Sequence, residues 1–468
     1  MLLLAKYARA GHCFVSRTGP KLFRPKGTSR GFRSSNALPT SIEADSKKKD
    51  PTEISRAFND AAPGKLNIAV IGAGLVGLAT TAMLRRAGHR ITIFESSSFH
   101  AEIGAGIVLP PNGVGVLKNN LPELNWENMQ PVDFRSMEMF NVDGTYMETE
   151  DLSEGWSKYS QGYFMIHRVD LHKELMRMAL EPNAIAFPPA TIRLGAPIRT
   201  VDFDSDRPSV TTSTGEEFNF DLVLGTDGIK STVRKFMVGT EYDAPATQLA
   251  FYRWMIDLRK NPGLSWIRDD RSTPGPTMII GGENIMGLIA YPVRRGNVIN
   301  FSGAHFDTRD QDAVDWNSEV PKEAFLGAFD DFADKFKALV TIAERPGAWQ
   351  LRKLPPLPTW IKGNVALLGD AAHAMFPTYG QGFAVGVEDA ATVATLFPSG
   401  TKKSDIPSRL KMFQEIRKPR AEHVSQMSTD AYKPPDEKSP EGSFVGWLAP
   451  ELLDYDPVAV TKAALSKI

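Results

Sequence analysis

The 468 residues suffice for two or three domains with a substantial core, and 54 Lys+Arg against 55 Asp+Glu leave a formal net charge of -1. That balance gives no general attraction to nucleic acid or to an anionic membrane, and no apolar run approaches the ~18–20 residues of a transmembrane helix. The single cysteine, Cys13, excludes disulfides within the chain, cysteine-based metal sites and a cysteinyl-linked cofactor, and no metal site is expected.

Residues 1–64 read as a leader and linker. No acidic residue precedes Glu43, whereas Lys and Arg recur from Lys6 to Arg33 among serine, glycine and proline, the composition of a mitochondrial transit peptide. Met1–Leu4 is too short for the apolar core of a secretory signal. A mitochondrial protein is expected if the leader is a transit peptide, and a cytoplasmic one if it is only an extension.

The segment Asn67–Glu95 follows. Asn67–Ile71 is a short apolar, β-branched run of the kind buried in a parallel sheet. Gly72, Gly74 and Gly77 form G-x-G-x-x-G, a helix closes at Gly88, and a strand Ile91–Phe94 ends on Glu95. The first glycine permits a tight turn, the second lets the backbone approach a pyrophosphate, and the third lets helix and strand pack closely. The helix start offers free N–H groups to that pyrophosphate, and Glu95 can accept both hydroxyl protons of an adenosine ribose. The glycines alone are weak; strand, glycines, helix, strand and acid in order predict a dinucleotide site.

Gly104, Ala105 and Gly106 then remove side-chain bulk, either to let backbone lie against a flat cofactor or as an ordinary turn. Alternation over Asp133–Glu150 with Asp143-Gly144 at the turn predicts a hairpin. Met165–Leu180 is expected to be a helix capped by Asp170. Arg168 near its start is poorly placed for the helix dipole unless it serves an anion or polar ligand. A strand at Asp221–Leu224 runs into Gly225-Thr226-Asp227-Gly228, and a helix follows near Ser231. This sets the Asp227 carboxylate where ligands bind in open α/β sheets.

Residues 248–350 alternate as an antiparallel sheet does, and Phe325, Phe329, Phe332, Phe336 and Leu339 fall at helical spacing as core. A strand Asn364–Leu368 ends at Gly369-Asp370, a Pro/Gly loop covers Phe376–Gly382, and a small-residue helix starts around Phe383. His373 resembles a base at first glance, but a histidine held by packing and one hydrogen bond is the preferred reading. From Leu410 a helix is expected to be interrupted at Pro419, with Arg417 and Arg420 on its solvated face and a turn-rich tail after Lys433.

With these segments in this order the chain resembles the single-component FAD-dependent aromatic hydroxylases, closest to the salicylate hydroxylase-like branch common in fungi. GAGLVG with Glu95, GTDGIKSTVR and LLGDAAHAMFPTYGQG carry the resemblance, with IGAGI, HRVDLH, YR and YP between them, over about residues 65–424. It implies an α/β fold with a Rossmann-like FAD-binding domain (p-hydroxybenzoate hydroxylase-like) in three parts, 65–132, 165–245 and 356–400. An antiparallel-sheet substrate domain, hairpin 133–164 and 246–355, is interleaved with it, and a C-terminal helical segment and tail occupy 401–468.

The resemblance implies that non-covalent FAD lies with its pyrophosphate on Gly72, Gly74 and Gly77, and its adenosine ribose on Glu95. Arg168 would reach the flavin chain, and Asp370 would hold ribityl or ribose hydroxyls. Backbone at Gly104, Ala105, Gly106, Gly382 and Phe383 would line the isoalloxazine, and Asp227 would serve both FAD and visiting NAD(P)H. In such enzymes NAD(P)H reduces the flavin, O₂ adds at its C4a carbon, and the hydroperoxide gives one oxygen atom to the substrate. That chemistry needs positive electrostatics at the flavin pyrimidine edge and exclusion of water. Arg253 is the expected holder of a substrate phenolate or carboxylate, and Tyr291 is expected to orient the substrate or relay a proton. Many relatives carry a His three residues before the Tyr of the YR pair; here that position is Leu249, which makes a simple hydroxybenzoate less expected than a larger or already acidic substrate.

The expected function is thus an FAD- and NAD(P)H-dependent monooxygenase using O₂ to hydroxylate an aromatic or polyketide-like small molecule. Epoxidation or another oxygen insertion is the near alternative, and a flavin reductase or a non-catalytic flavin module the more distant ones. Substrate identity, NADH against NADPH and oligomeric state stay open.

Overall fold

In the computed structural model the described residues are 64–98, 105–204, 206–269, 273–309, 317–431 and 449–467. Residues 1–63 of the leader and Gly104 lie outside them. The chain begins with β1 (Asn67–Ile71), α1 (Leu75–Arg86), β2 (Arg90–Phe94) and β3 (Gly106–Leu109). The hairpin β4 (Ser136–Asn141) and β5 (Tyr146–Asp151) precedes β6 (Phe164–His167), α2 (Arg168–Leu180) and β7 (Thr191–Arg193). Then come β8 (Leu222–Gly225), α3 (Thr232–Val238), β9 (Ala246–Asp257), β10 (Thr277–Ile280), β11 (Ile285–Val293), β12 (Val298–Phe306) and β13 (Asn317–Glu319). The rest is α4 (Lys322–Gly327), α5 (Asp334–Thr341), β14 (Gly347–Arg352), β15 (Ile361–Lys362), β16 (Val365–Leu367), α6 (Gln381–Leu396), α7 (Ile406–Asp430), α8 (Pro450–Leu453) and α9 (Pro457–Leu465).

Two large sheets divide the work. The first has the order β15-β16-β8-β1-β2-β7 and is parallel except at β15. All five residues of β1 are buried, as an uninterrupted apolar strand covered on both faces must be. The second has the order β13-β14-β9-β12-β11-β10-β4-β5 and is antiparallel except where β10 meets β4. The hairpin β4–β5 thus joins a sheet whose other strands begin only at Ala246.

The period of two in β9 decides which side does what. Tyr252 and Trp254 face an aromatic core with Phe325 and Phe329, ring centroids 5.1 Å apart for Trp254–Phe325 and 5.3 Å for Phe325–Phe329. Those phenylalanines sit on two short helices and the turn between them, rather than on one helix. The opposite face carries Phe251 and Arg253 toward the first sheet. There Met278, Tyr291, Val293 and Val298 merge into the core of the nucleotide half.

Three local expectations are corrected. Met165–His167 is strand, because β6 pairs antiparallel with β3, from Gly106 opposite His167 to Leu109 opposite Phe164. The helix therefore starts at Arg168, capped by His167, whose Nδ1 accepts the Val169 N–H at 3.3 Å; Asp170 does not cap it. Helix α7 runs through Pro419 without a break, and Arg417 and Arg420 are buried, not solvated. Arg417 donates from Nε to Asp389 and from Nη2 to Glu388, each at 2.8 Å, and Arg420 donates to Glu388 at 3.2 Å. Beyond Lys433 the chain is helical again, and Arg420 also donates to the backbone oxygens of Glu451 and Leu452, tying α8 onto α7.

Candidate active site

Four chain reversals meet along one edge of the parallel sheet. Ile71 stands opposite Phe94 on one side and Gly225 on the other, and Gly225 stands opposite Leu367. The residues that follow, Gly72, Glu95, Thr226 and Leu368 to Asp370, therefore share the carboxyl edge, where an open α/β sheet receives ligands.

Each glycine of the loop has its own task. A Cβ on Gly77 would meet the Gly72 oxygen at 2.0 Å, and one on Gly72, at φ 103°, would meet the Thr226 oxygen at 2.7 Å; both serve close packing. A Cβ on Gly74 would meet nothing within 4 Å, and Gly74 lines the cavity described below, so its bare backbone is presented to a ligand. Gly382, in the first turn of α6, is open in the same way and lines the same cavity with Phe383. The start of this 16-residue helix has no side-chain cap, so N–H groups and the positive end of the dipole are left for a ligand.

Glu95 grips the loop. Its carboxylate accepts the N–H groups of Ala73 and Ser97, both at 2.8 Å. Burial would raise its pKa, but these donors hold it below the usual carboxylate range. Asp227 is placed differently from the expectation. Its carboxylate accepts the N–H groups of Thr232 at 2.7 Å and Val233 at 3.1 Å and the Ser231 hydroxyl, holding the start of α3. Its neighbours Thr226 and Gly228 line the cavity instead. Asp370 is exposed to the cavity beside Arg168, whose N–H donates to the Ala105 oxygen at 2.8 Å. Ala105 is buried behind the lining.

The cavity measures about 470 Å³ and runs from Gly74–Val76 past Arg168 and Asp370 to Gly106 and the second sheet. On that sheet its polar side chains are Arg253, Tyr291 and Ser302, set among Phe251, Met278, Ile289 and Ala304. Arg253 is half-buried with its guanidinium 4.8 Å from the Trp349 ring, and its Nε has no hydrogen-bond partner among the described residues. Burial lowers its pKa, the neighbouring Tyr291 raises it and Arg168 lowers it; an arginine stays charged under such influences. Burial pushes the Tyr291 hydroxyl well above its ordinary value despite Arg253, which favours its protonated form. Leu249 pairs across the ladder with Phe306 and forms no part of the cavity wall.

Sequence reasoning missed two supports. Asn300, 2% exposed, accepts the Gly106 N–H on its Oδ1 at 2.7 Å and so binds the sheet to the cavity edge. Asp389 accepts the Gly369 N–H at 2.9 Å and bonds His373 Nε2 at 2.7 Å, with Arg417 on its other oxygen. His373 is thus a buried brace packed on Trp360, 5.2 Å between ring centroids, rather than a cavity base. Nothing in the spacing of Arg417 signals that its partners Glu388 and Asp389 lie one helix earlier.

The residues present fit a flavin dinucleotide: bare backbone at Gly74 and Gly382, an acid and a cation at Asp370 and Arg168, and a free helix start. Fold and site together define a flavin-dependent oxidoreductase whose candidate cofactor cavity reaches from the parallel sheet to the antiparallel one. The chain matches the FAD binding domain family over residues 65–428 and belongs to it. It is 38% identical over 384 residues to hispidin-3-hydroxylase of Neonothopanus nambi, covering 79% of this chain and 89% of that one. To a salicylate hydroxylase of Pseudomonas putida it is 30% identical over 393 residues, covering 78% and 84%. In fold it resembles the crystal structure of CtdE in complex with FAD and substrate 4, with TM-score 0.72 and 18% identity, covering 86% and 98%. The chain is an FAD-dependent monooxygenase that takes NAD(P)H as co-substrate.

Proposed function

We propose that this enzyme hydroxylates a planar phenol or enol on a conjugated aromatic or polyketide-derived skeleton, bound as its anion between Arg253 and Tyr291. The carrying observation is Arg253, which lines the cavity beside Tyr291 in a largely apolar wall and whose Nε has no hydrogen-bond partner among the described residues. A buried cation without an acid favours a ligand that brings negative charge, and ionisation of a phenol or enol also enriches the carbon to be hydroxylated. Tyr291, held protonated by burial, donates to the same oxygen and fixes its direction. Phe251, Met278 and Ile289 supply the flat apolar contact and keep water from the reacting face. FAD, when bound, supplies hydride acceptance from NAD(P)H and the activation of O₂. Hispidin, named for the relative at 38% identity, is of this chemical kind and is the first compound to try.

The test is to follow NAD(P)H and O₂ consumption by the FAD-loaded enzyme across phenolic acids, hydroxypyrones and neutral aromatic ethers. Substrate-stimulated oxidation with a matched hydroxylated product is expected for the ionisable compounds. Equal stimulation by the ethers would overturn the anion-binding role of Arg253.

A further inference from the structure

The turn joining β11 to β12 holds an unusual backbone. Arg294, Arg295 and Gly296 all have positive φ, 53°, 55° and 82°, and the turn is closed by Gly296 N–H to the Val293 oxygen at 3.0 Å. Glycine or asparagine suits that conformation; two arginines in a row are strained in it, and strain persists only where the surroundings hold it. Arg294 is held firmly. Its Nε donates to Asp170 Oδ2 at 2.7 Å and its Nη2 to Oδ1 at 2.8 Å, a bidentate fork reaching the first turn of α2. The Arg295 side chain pairs with Glu127 where the two are 59% and 78% accessible, the kind of pair that solvent and salt make weak, while its backbone N–H donates to the Gln130 oxygen at 3.1 Å.

The two ends of this fork connect to the cavity. Asp170 follows Arg168, which lines it, and His167, whose backbone pairs with Gly106. Along the hairpin, Tyr291 and Asn300 stand directly opposite each other, and both touch Gly106. The hairpin is therefore fastened at its arms through Gly106 and at its tip through the Arg294 side chain to Asp170, beside the backbone bond from Arg295 to Gln130 that a substitution at either arginine leaves in place.

We propose that Arg294 and Asp170 are positioning residues, a latch that sets Tyr291 and its sheet at the reacting edge of the cofactor without touching the substrate. Its consequence for turnover rests on the hydroxylase reading above; its geometric half does not. The comparison is between Arg294→Gly and Arg295→Gly in the FAD-loaded full chain, because both relieve a positive φ and only the first removes the fork. Asp170→Asn removes the fork from the other side. Iodide quenching of flavin fluorescence, measured without substrate, reports how tightly the sheet covers the cofactor. The quenching constant is expected to rise several-fold in Arg294→Gly and Asp170→Asn and to stay unchanged in Arg295→Gly. Product formed per NAD(P)H oxidised should fall roughly tenfold in the first two, the scale of a misplaced reacting pair, with KM changed far less. If Arg294→Gly matches Arg295→Gly in quenching and in coupling, the latch is refuted. Should the wild type oxidise no phenol or enol, the hydroxylase reading fails while the quenching comparison still decides the latch. If Arg294→Gly does not fold, Arg294→Lys keeps the charge and loses the fork, and no shift in its quenching counts against the proposal.

Discussion

The hydroxyl end of Tyr291 lies against Gly106, so close that a Cβ there would meet Cε2 at 2.4 Å and the hydroxyl oxygen at 2.7 Å. Gly106 is thus a contact between the two halves of the enzyme, in addition to a stretch of bare backbone lining the cavity. Gly106→Ala forces the tyrosine or β3 to move, and overpacking of this sort costs about 1–3 kcal/mol. The urea midpoint should fall accordingly, and the coupling of NAD(P)H oxidation to product should fall with it. An unchanged midpoint and coupling would contradict the contact.

Gly74 and Gly77 should respond in opposite ways to the same methyl group. Gly77→Ala drives a Cβ into backbone at 2.0 Å, which cannot yield cheaply, so the apoprotein itself is expected to fold poorly. Gly74→Ala has open space in the apoprotein and should keep its thermal midpoint, yet lose FAD affinity by tenfold or more, about 1.4 kcal/mol. Apoprotein melting and FAD titration separate the two.

Arg253→Ala should retain the yellow flavin spectrum and lose substrate-stimulated NAD(P)H oxidation. The loss in kcat/KM is expected at about 10²–10³-fold, since truncating one partner of a buried charge pair costs roughly 3–4 kcal/mol. Wild-type kinetics in this variant would remove Arg253 from the site.

His167 gives the fold a pH dependence. Burial, and then the charge of Arg294, lower its pKa to about 4, against an ordinary 6.5. As pH falls the unfolded chain takes up this proton first, so the stability tied to the neutral imidazole is complete above 6.5 and is lost progressively from 6.5 down to about 4. That loss amounts to roughly 2–3 kcal/mol, to be measured as the difference in urea stability between pH 7 and pH 4.5 for wild type and His167→Gln. The variant should show a flatter profile over that window.

Removing Arg417 leaves Asp389 and Glu388 short of a partner where all three side chains are inaccessible to solvent. Arg417→Met is expected to cost about 3–5 kcal/mol, whereas Lys411→Met on the exposed side of the same helix should cost almost nothing. Equal midpoints for the two would place the network outside the energetics of the fold.

The sequence was most legible where local chemistry and backbone demand coincide. Strand β1, the glycines after it and the helix that follows were read within a residue, because each needs a residue type that few other arrangements need. Gly369-Asp370 was legible for the same reason. Charge was read less well: Arg417 and Arg420 look like any solvated pair until Glu388 and Asp389 arrive from α6, a tertiary fact with no trace in spacing. Met165–His167 reads as the start of a helix in the sequence because its apolar pattern is too short to show a period, and only pairing with β3 makes it strand. Asn300 could not be singled out at all, since its partner is a backbone N–H almost two hundred residues away.

The order of segments has a consequence for how the protein is made. Strands β4 and β5 leave the ribosome before residue 152, yet the strand β10 that shelters β4 begins only at Thr277. The cofactor cavity, likewise, takes its last wall from Gly382 and Phe383. A nascent chain shorter than this has unpaired strand edges and no place for FAD, so vitamin supply bears on maturation only after most of the polypeptide exists. Retention of flavin thereby reports that synthesis has passed Phe383.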